Sequence, residues 1–214
     1  VDTDIYKPNE DTEIALDKNY FPNIKALKLM YAGNIGHAQD WQPLLHLANF
    51  FREQAVEFWV IGEGVLKNKL KSEIDRLGLQ NIHLLPYQPR QQMSAIIAYA
   101  DLHFIFMDPQ MERQGFPSKV YTIMACKKPL LVLSGTDTPI FNFLQNKSCA
   151  FLVTESDNTT KFKKLELIIK NLLGNANELS KLGEHGFEVI QKQYSKRAVV
   201  KQYVDVVDNL LSQS

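Results

Sequence analysis

Six short apolar runs, at about 28–32, 57–61, 82–85, 102–106, 130–133 and 150–153, recur along the chain, with polar or glycine-bearing residues after them. Runs this short and this uniformly apolar suit strands buried on both faces. The stretches between them carry apolar residues at helical spacing: Trp41, Leu44, Leu45, Ala48 and Phe51, then Leu66, Leu70, Ile74 and Leu77, then Val120, Ile123 and Met124. Strand and helix in repeated alternation predict an α/β fold built on a doubly wound parallel sheet of about six strands. Past Val153 only helical patterns remain. Their apolar faces fall at Leu165, Ile168, Ile169, Leu172 and Leu173, at Leu179, Leu182, Phe187 and Ile190, and at Val199, Tyr203, Val206, Leu210 and Leu211.

Open parallel sheets bind ligands outside the carboxyl ends of their strands. That rule selects the loops after Ala32, Ile61, Leu85, Phe106 and Leu133, and these loops hold the glycines and polar residues. The richest is Gly115-Phe116-Pro117-Ser118-Lys119, which leads into the pattern Val120-Tyr121-Thr122-Ile123-Met124. Pro117 suits the first helical position, where a missing N–H costs nothing. The backbone N–H groups of Ser118 and Lys119, the helix dipole and the Lys119 ammonium then suit a phosphate. An ordinary capped helix with a solvated lysine is the plainer alternative.

The other loops are more ambiguous. Gly33-Asn34-Ile35-Gly36 follows a strand, but Ile35 and Ala38 stand where a dinucleotide fingerprint needs its second and third glycines, which disfavours a nicotinamide cofactor. A tight turn explains these glycines as well as a ligand does. Gly62-Glu63-Gly64 reads as a strand-to-helix turn with Glu63 in solvent or on a ligand. Tyr87 is placed to stack on a base or to lie half-buried in its loop. Glu112 is a carboxylate in the polar loop before Gly115, and Arg113 a cation beside it. Asp137 or Thr138 caps the helix that Pro139 opens, or the turn approaches a sugar. The five histidines show no ligand spacing, so no metal is assigned.

Composition narrows the classes further. With 214 residues, 45% of them hydrophobic, the chain can bury one substantial core. Lys plus Arg equals Asp plus Glu at 24 each, so no bulk field attracts nucleic acid. Cys126 and Cys149 lie in apolar surroundings without metal or disulfide spacing, as reduced thiols of a cytosolic protein would. No apolar run approaches the ~20 residues of a membrane span, and no stretch reads as a signal peptide.

The stretch from Gln114 to Val132 resembles the donor-binding motif of retaining group 1 glycosyltransferases, which transfer sugars from nucleotide-sugar donors. Gln114-Gly115-Phe116, Ile123-Met124-Ala125-Cys126 and Lys128-Pro129-Leu130 fall in step with the family's Glu-Gly-Phe-Gly, Glu-Ala-Met-Ala and Gly-x-Pro-Val. The family's two glutamates land on Gln114 and Thr122, so neither carboxylate is present. A subset carrying Pro-Ser-Lys is closer to this chain. Val1-Asp2, Tyr31-Ala32-Gly33-Asn34-Ile35-Gly36, Val60-Ile61-Gly62-Glu63-Gly64 and Tyr99-Ala100-Asp101 resemble further family segments in the family's order.

The resemblance implies one half of a GT-B fold: residues 1–25 as interdomain linker and lead-in, and 26–214 as a Rossmann-like C-terminal donor-binding domain. The N-terminal acceptor domain would lie outside the chain. The implied donor-binding residues are Gly33, Asn34, Gly36, Gly62, Glu63, Tyr87, Glu112, Gln114, Gly115, Phe116, Pro117, Ser118, Lys119 and Thr122, and no catalytic residue is assigned. Relatives hold the diphosphate with an arginine and a lysine after the first strand, where Asn34 and Gln39 stand here. Lys119 and Arg113 are then the remaining local cations. The expected substrate is a nucleotide sugar, UDP-linked by family frequency, with no cofactor. The expected acceptor is a glycan or lipid-linked sugar in polysaccharide or cell-envelope biosynthesis. The expected location is the cytoplasm, with peripheral association at the inner membrane face left open. Two alternatives stand beside this: a sugar-nucleotide epimerase of the same architecture, and a non-catalytic nucleotide-sugar-binding module.

Overall fold

A computed structural model describes residues 1–8 and 16–211. The strands are β1 (Leu27–Ala32), β2 (Val56–Ile61), β3 (Ile82–Leu85), β4 (Leu102–Phe106), β5 (Leu130–Leu133) and β6 (Ala150–Val153). Each coincides with one of the apolar runs to within a residue. All five pairings are parallel and the order is β3-β2-β1-β4-β5-β6. The connection from β1 leads to one neighbour and the connection into β4 returns on its other side. The order therefore reverses between β1 and β4, and a crevice opens there beyond their carboxyl ends.

Helices α1 (Gln42–Phe50), α2 (Lys67–Leu77), α3 (Met93–Tyr99), α4 (Lys119–Ala125), α5 (Pro139–Leu144), α6 (Asn158–Leu172), α7 (Ala176–Val189) and α8 (Lys196–Leu211), with a 3-10 turn at Arg90–Gln92 and a π-helical turn at Ile190–Tyr194, complete the described chain. Side-chain alternation splits each strand between two helical layers. Leu29, Phe58, Val60, Phe104, Leu131 and Val153 share a core with Leu44 and Leu47 of α1 and Leu165 and Ile169 of α6. Ile105, Leu130 and Val132 face the other layer, with Val120, Ile123 and Met124 of α4. This is the three-layered α/β architecture that the alternating pattern predicts.

Local signals set the helix ends. Gly78, left-handed at φ 62°, stops α2. Asp157 caps α6 by accepting the Thr160 N–H at 2.9 Å. Thr138, not Asp137, caps α5, accepting the Phe141 N–H at 3.3 Å. One expectation fails at α4, where Ser118 is the N-cap, so Pro117 sits one residue before it and not at the first helical position. The Pro117 carbonyl instead accepts the Val120 N–H at 3.0 Å, closing a tight first turn.

The lead-in is tied to the domain where it is described. The Ser94 hydroxyl donates to the Lys7 carbonyl at 3.0 Å, and the Tyr99 hydroxyl donates to the Pro22 carbonyl at 2.7 Å. Residues 9–15 of that expected segment lie outside the described residues. At the other end α8 buries none of its residues, and Tyr203 is 72% exposed.

Candidate functional site

Beyond the strand ends the ladder continues for one more step: the Gly33 N–H donates to the Ile61 carbonyl at 2.8 Å and the Gly62 N–H to the Leu85 carbonyl at 3.0 Å. The loops after β1 and β2 therefore run against each other. A Cβ on Gly62 would lie 1.9 Å from the Gly33 carbonyl oxygen, and one on Gly64 would lie 2.3 Å from that of Ile35. Both residues have φ near +150°, a region that L side chains rarely adopt. The tight-turn reading thus accounts for Gly62 and Gly64. Gly36 is under weaker pressure, meeting only the flexible amide of Asn34 at 2.9 Å.

Gly33 shares the backbone of Gly62 and Gly64, with φ +151°, and has a different neighbour. The space its Cβ would fill is taken by the Lys119 ammonium, 2.5 Å away. That ammonium also sits 3.6 Å from the centroid of the Tyr31 ring. Lys119 therefore crosses from the start of α4 to the end of β1, into the crevice where the sheet order reverses. The solvated-lysine alternative does not describe it.

The electrostatics of this position are adverse in the ligand-free chain. Burial pushes the Lys119 pKa down from 10.5 to about 7. Lys119 has no ion pair or hydrogen bond through its ammonium among the described residues, only the face of Tyr31. A cation in the first turn of a helix also opposes the helix dipole. Three unfavourable terms converge on one side chain, and an anion in the crevice would reverse all three.

Around this centre the expected residues divide. Tyr87 is 59% exposed, with its ring edge 3.5 Å from where a Gly62 Cβ would be, so a flat aromatic face borders the crevice. A Cβ on Gly115 would meet nothing within 4 Å, and its φ is ordinary, so packing does not require a glycine there. Asn34 receives the Tyr31 hydroxyl on its carbonyl at 2.7 Å, leaving its side chain beside Gly36 and Gly64. Ser118 makes no side-chain capping bond. The contacts thus bring Lys119 to Gly33 and Tyr31, Tyr87 to Gly62, and Asn34 to Gly36 and Gly64, while Gly115 and Ser118 are near Lys119 through the chain.

Others are engaged elsewhere. Glu63 pairs with Lys67 at 2.6 Å, and Lys67 also donates to the Gly62 carbonyl at 3.0 Å. Glu112 is buried and its carboxylate accepts the Gly135 N–H at 2.8 Å, which ties the loop after β4 to the turn after β5. Gln114 donates to the Gln110 carbonyl at 3.4 Å and Thr122 to the Lys119 carbonyl at 2.9 Å. The Phe116 ring turns into an aromatic cluster, 5.2 Å from Tyr121 and 5.1 Å from Phe143. Arg113 is paired with Asp137 at 2.8 Å in solvent. Gln39 is buried, donating to the Ala38 carbonyl at 3.0 Å and to the Met107 sulfur at 3.7 Å. Lys119 is the cation that remains.

Two site residues escaped the sequence reading. Tyr31 counted as strand core, although a lone hydroxyl in an apolar strand was a visible signal. Burial and the nearby Tyr87 hold its hydroxyl protonated well above the usual phenol range. Lys67, which opens α2, was not singled out in the sequence. No group of three or more His, Cys, Asp or Glu side chains suited to a metal occurs among the described residues. No helix there is long and apolar enough to cross a membrane.

Comparison with known proteins agrees with the geometry. The family described as glycosyl transferases group 1 matches residues 26–171. WbjE of Pseudomonas aeruginosa, named as a glycosyltransferase, is 22% identical over 184 residues, covering 86% of this chain and 44% of that protein. WcaI of Escherichia coli (strain K12), whose name assigns it to glycosyl transfer in colanic acid biosynthesis, is 27% identical over 97 residues, covering 45% of this chain and 24% of that protein. The chain thus spans less than half the length of either relative. The crystal structure of Anabaena Alr3699/HepE in complex with UDP and glucose superposes with a TM-score of 0.77 at 13% identity, over 97% of this chain and 55% of that one. At that identity the likeness is one of fold.

Proposed function

The chain belongs to the group 1 glycosyl transferases, and on that premise we propose that it is the donor-binding half of a retaining sugar transferase whose leaving group is a nucleoside diphosphate. The observation that carries this reading is the enclosed, counter-ion-free Lys119 ammonium at the crevice between β1 and β4. A diphosphate laid across Gly115 and the start of α4 supplies the missing charge. As the bond to the sugar breaks, charge grows on the diphosphate, and a preorganised ammonium beside it stabilises it with little reorganisation. Tyr87 offers its exposed ring to the base. Glu112, held by Gly135, sets the loop that would flank the sugar.

The finer reading assigns the chain to the Pro-Ser-Lys subset and prefers a UDP-linked donor with no cofactor, a choice the UDP complex of the fold relative supports. The acceptor, a glycan or lipid-linked sugar in polysaccharide or envelope assembly, would be held by a second domain outside this chain. The work would take place in the cytoplasm, at or near the inner face of the membrane. The loss of carboxylates at Gln114 and Thr122 favours one second reading, a nucleotide-sugar-binding module that transfers nothing. Turnover of a UDP-sugar by the full-length protein decides between them.

Calorimetric titration of the chain with UDP, GDP, UDP-glucose and uridine tests the donor site. UDP should bind, uridine far more weakly, and Lys119→Ala should weaken UDP about tenfold to a hundredfold, as loss of a charge-assisted bond predicts. No binding of any diphosphate at millimolar concentration sinks the reading.

A further inference from the structure

At the opposite end of the sheet, past the amino ends of β1, β4 and β5, lies a cavity of about 600 Å³ with Lys25, Lys28, Lys127, Lys128 and Asp101 on its wall. Strands of this length at ~3.3 Å per residue separate it from the Lys119 crevice by about 15–20 Å. Its remaining wall is mostly apolar, from Pro129, Leu172, Leu173 and Leu179 among others, with Ser180 as a polar exception.

The charges do not balance. Lys28 is neutralised by Asp101 at 3.1 Å and Lys127 by Glu184 at 3.0 Å. Lys25 and Lys128 have no such partner within 4.0 Å among the described residues. The Lys128 ammonium is largely enclosed, and burial, with Lys28 nearby, holds its pKa below the ordinary value against the pull of Asp101. Lys127 adds a second anomaly. It occupies the left-handed position after α4, at φ 54°, where glycine is the unstrained residue. The chain thus keeps one lysine in a strained backbone and another without a counter-ion, both on one cavity wall.

We propose that this cavity is a second anion site, distinct from the donor crevice, for a phosphate ester that carries an apolar body. Two lysines left without counter-ions match the charge of about −1.5 to −2 on a phosphomonoester. Lysines act on phosphate as compact point charges, so the unforked geometry of the four is no obstacle. The leucine and proline wall has no polar partner to offer and suits the ester's hydrocarbon portion.

The test is an amide chemical-shift titration of the chain with hexyl phosphate and with inorganic phosphate, repeated on Lys128→Met and Lys25→Ala. Lys25 is exposed and Lys128→Met removes an uncompensated charge, so both variants should fold. Hexyl phosphate should shift amides of residues 25–28, 127–129 and 172–180, bind more tightly than inorganic phosphate, and lose about tenfold to a hundredfold in Lys128→Met. Saturation of the Lys119 crevice with UDP should leave these shifts unchanged. Cosedimentation with vesicles of phosphatidylcholine containing phosphatidic acid, whose headgroup is a phosphomonoester, but not with vesicles of phosphatidylcholine alone, lost in both variants, assigns the phosphate to a lipid headgroup. Binding of hexyl phosphate without cosedimentation assigns it to a free ester. Absence of shifts in these segments at millimolar hexyl phosphate, or affinity unchanged in both variants, overturns the proposal.

Discussion

The two ends of the sheet each hold an enclosed lysine, and they hold it in opposite ways. At the carboxyl ends Lys119 stands alone in a narrow crevice, between Tyr31 and a glycine that leaves it room, at the wrong end of the helix dipole. At the amino ends Lys127 and Lys128 follow the last turn of α4, where the dipole favours a cation, and they share a broad cavity with Asp101. Local rules alone would never place Lys119 where it is, and they half explain Lys127 and Lys128. The difference teaches that the informative charge is the one whose position local physics opposes at every level, because only something outside the chain can compensate it.

The comparison breaks first if the carboxyl-end crevice does not depend on close backbone approach. Gly62→Ala must displace the Gly33 carbonyl, since the new methyl would sit 1.9 Å from that oxygen. It should lower unfolding free energy in urea by about 3 kcal/mol or more and abolish UDP binding. Gly115→Ala, with open space around it, should stay within about 0.5 kcal/mol of the parent. Equal stability of the two variants would show that the loops after β1 and β2 have room the structure denies them.

Lys119→Met sharpens the contrast, because it should weaken UDP strongly while leaving the ligand-free fold as stable as before or more so. A pH series separates these effects. The folded-state pKa of Lys119 is about 7 against an ordinary 10.5, so between these values the unfolded chain binds a proton that the folded chain does not. Stability of the ligand-free chain should therefore rise with pH across that window, by up to about 1.4 kcal/mol per unit from this group, whose own contribution is level below it, while His103, lowered by burial from 6.5 to about 4, adds a separate rise between those values. Lys128, also lowered by burial, adds to the slope. Measurement between pH 7 and 9 is cleanest, since burial raises the Cys126 and Cys149 thiols to about 11 and opposes the trend above their ordinary 9.0. Thermal or urea unfolding of Lys119→Met should show a shallower slope, and an unchanged slope would mean that the ammonium is solvated after all.

The smallest effect is expected at Arg113. Its pair with Asp137 is exposed on both sides, at 71% and 60% of the side chains. Arg113→Ala should change stability by less than about 0.5 kcal/mol and UDP affinity by less than about twofold. A larger loss of affinity would add a second cation to the crevice and weaken the case that Lys119 acts alone.

Strand positions were legible because burial on both faces writes a local code, and every apolar run from 28–32 to 150–153 became a strand. The Gly115-to-Lys119 segment was legible as the turn that opens α4 for a similar reason, since a proline, a small cap and a lysine before a helical pattern are neighbours in the chain. What failed was of another kind. Pro117 lay one residue outside its expected helix because the first turn closed on its carbonyl. Gln39 and the Phe116 ring turned inward, toward Met107 and toward Phe143, partners that spacing alone could not identify.

The sequence by itself determined the alternation of strands and helices and which loops leave the carboxyl ends of the strands. Those features follow from periodicity and turn chemistry, which act over a few residues. Only the tertiary structure decided which glycines serve the chain and which leave space for something else. Gly62 and Gly64 answer to backbone carbonyls, Gly33 to its own φ of +151° as well as to the Lys119 ammonium, and Gly115 to nothing within 4 Å among the described residues. It alone also decided that Lys119 is enclosed over Tyr31 and not solvated, because a side chain's dielectric surroundings are set by residues distant in sequence that the fold brings to it.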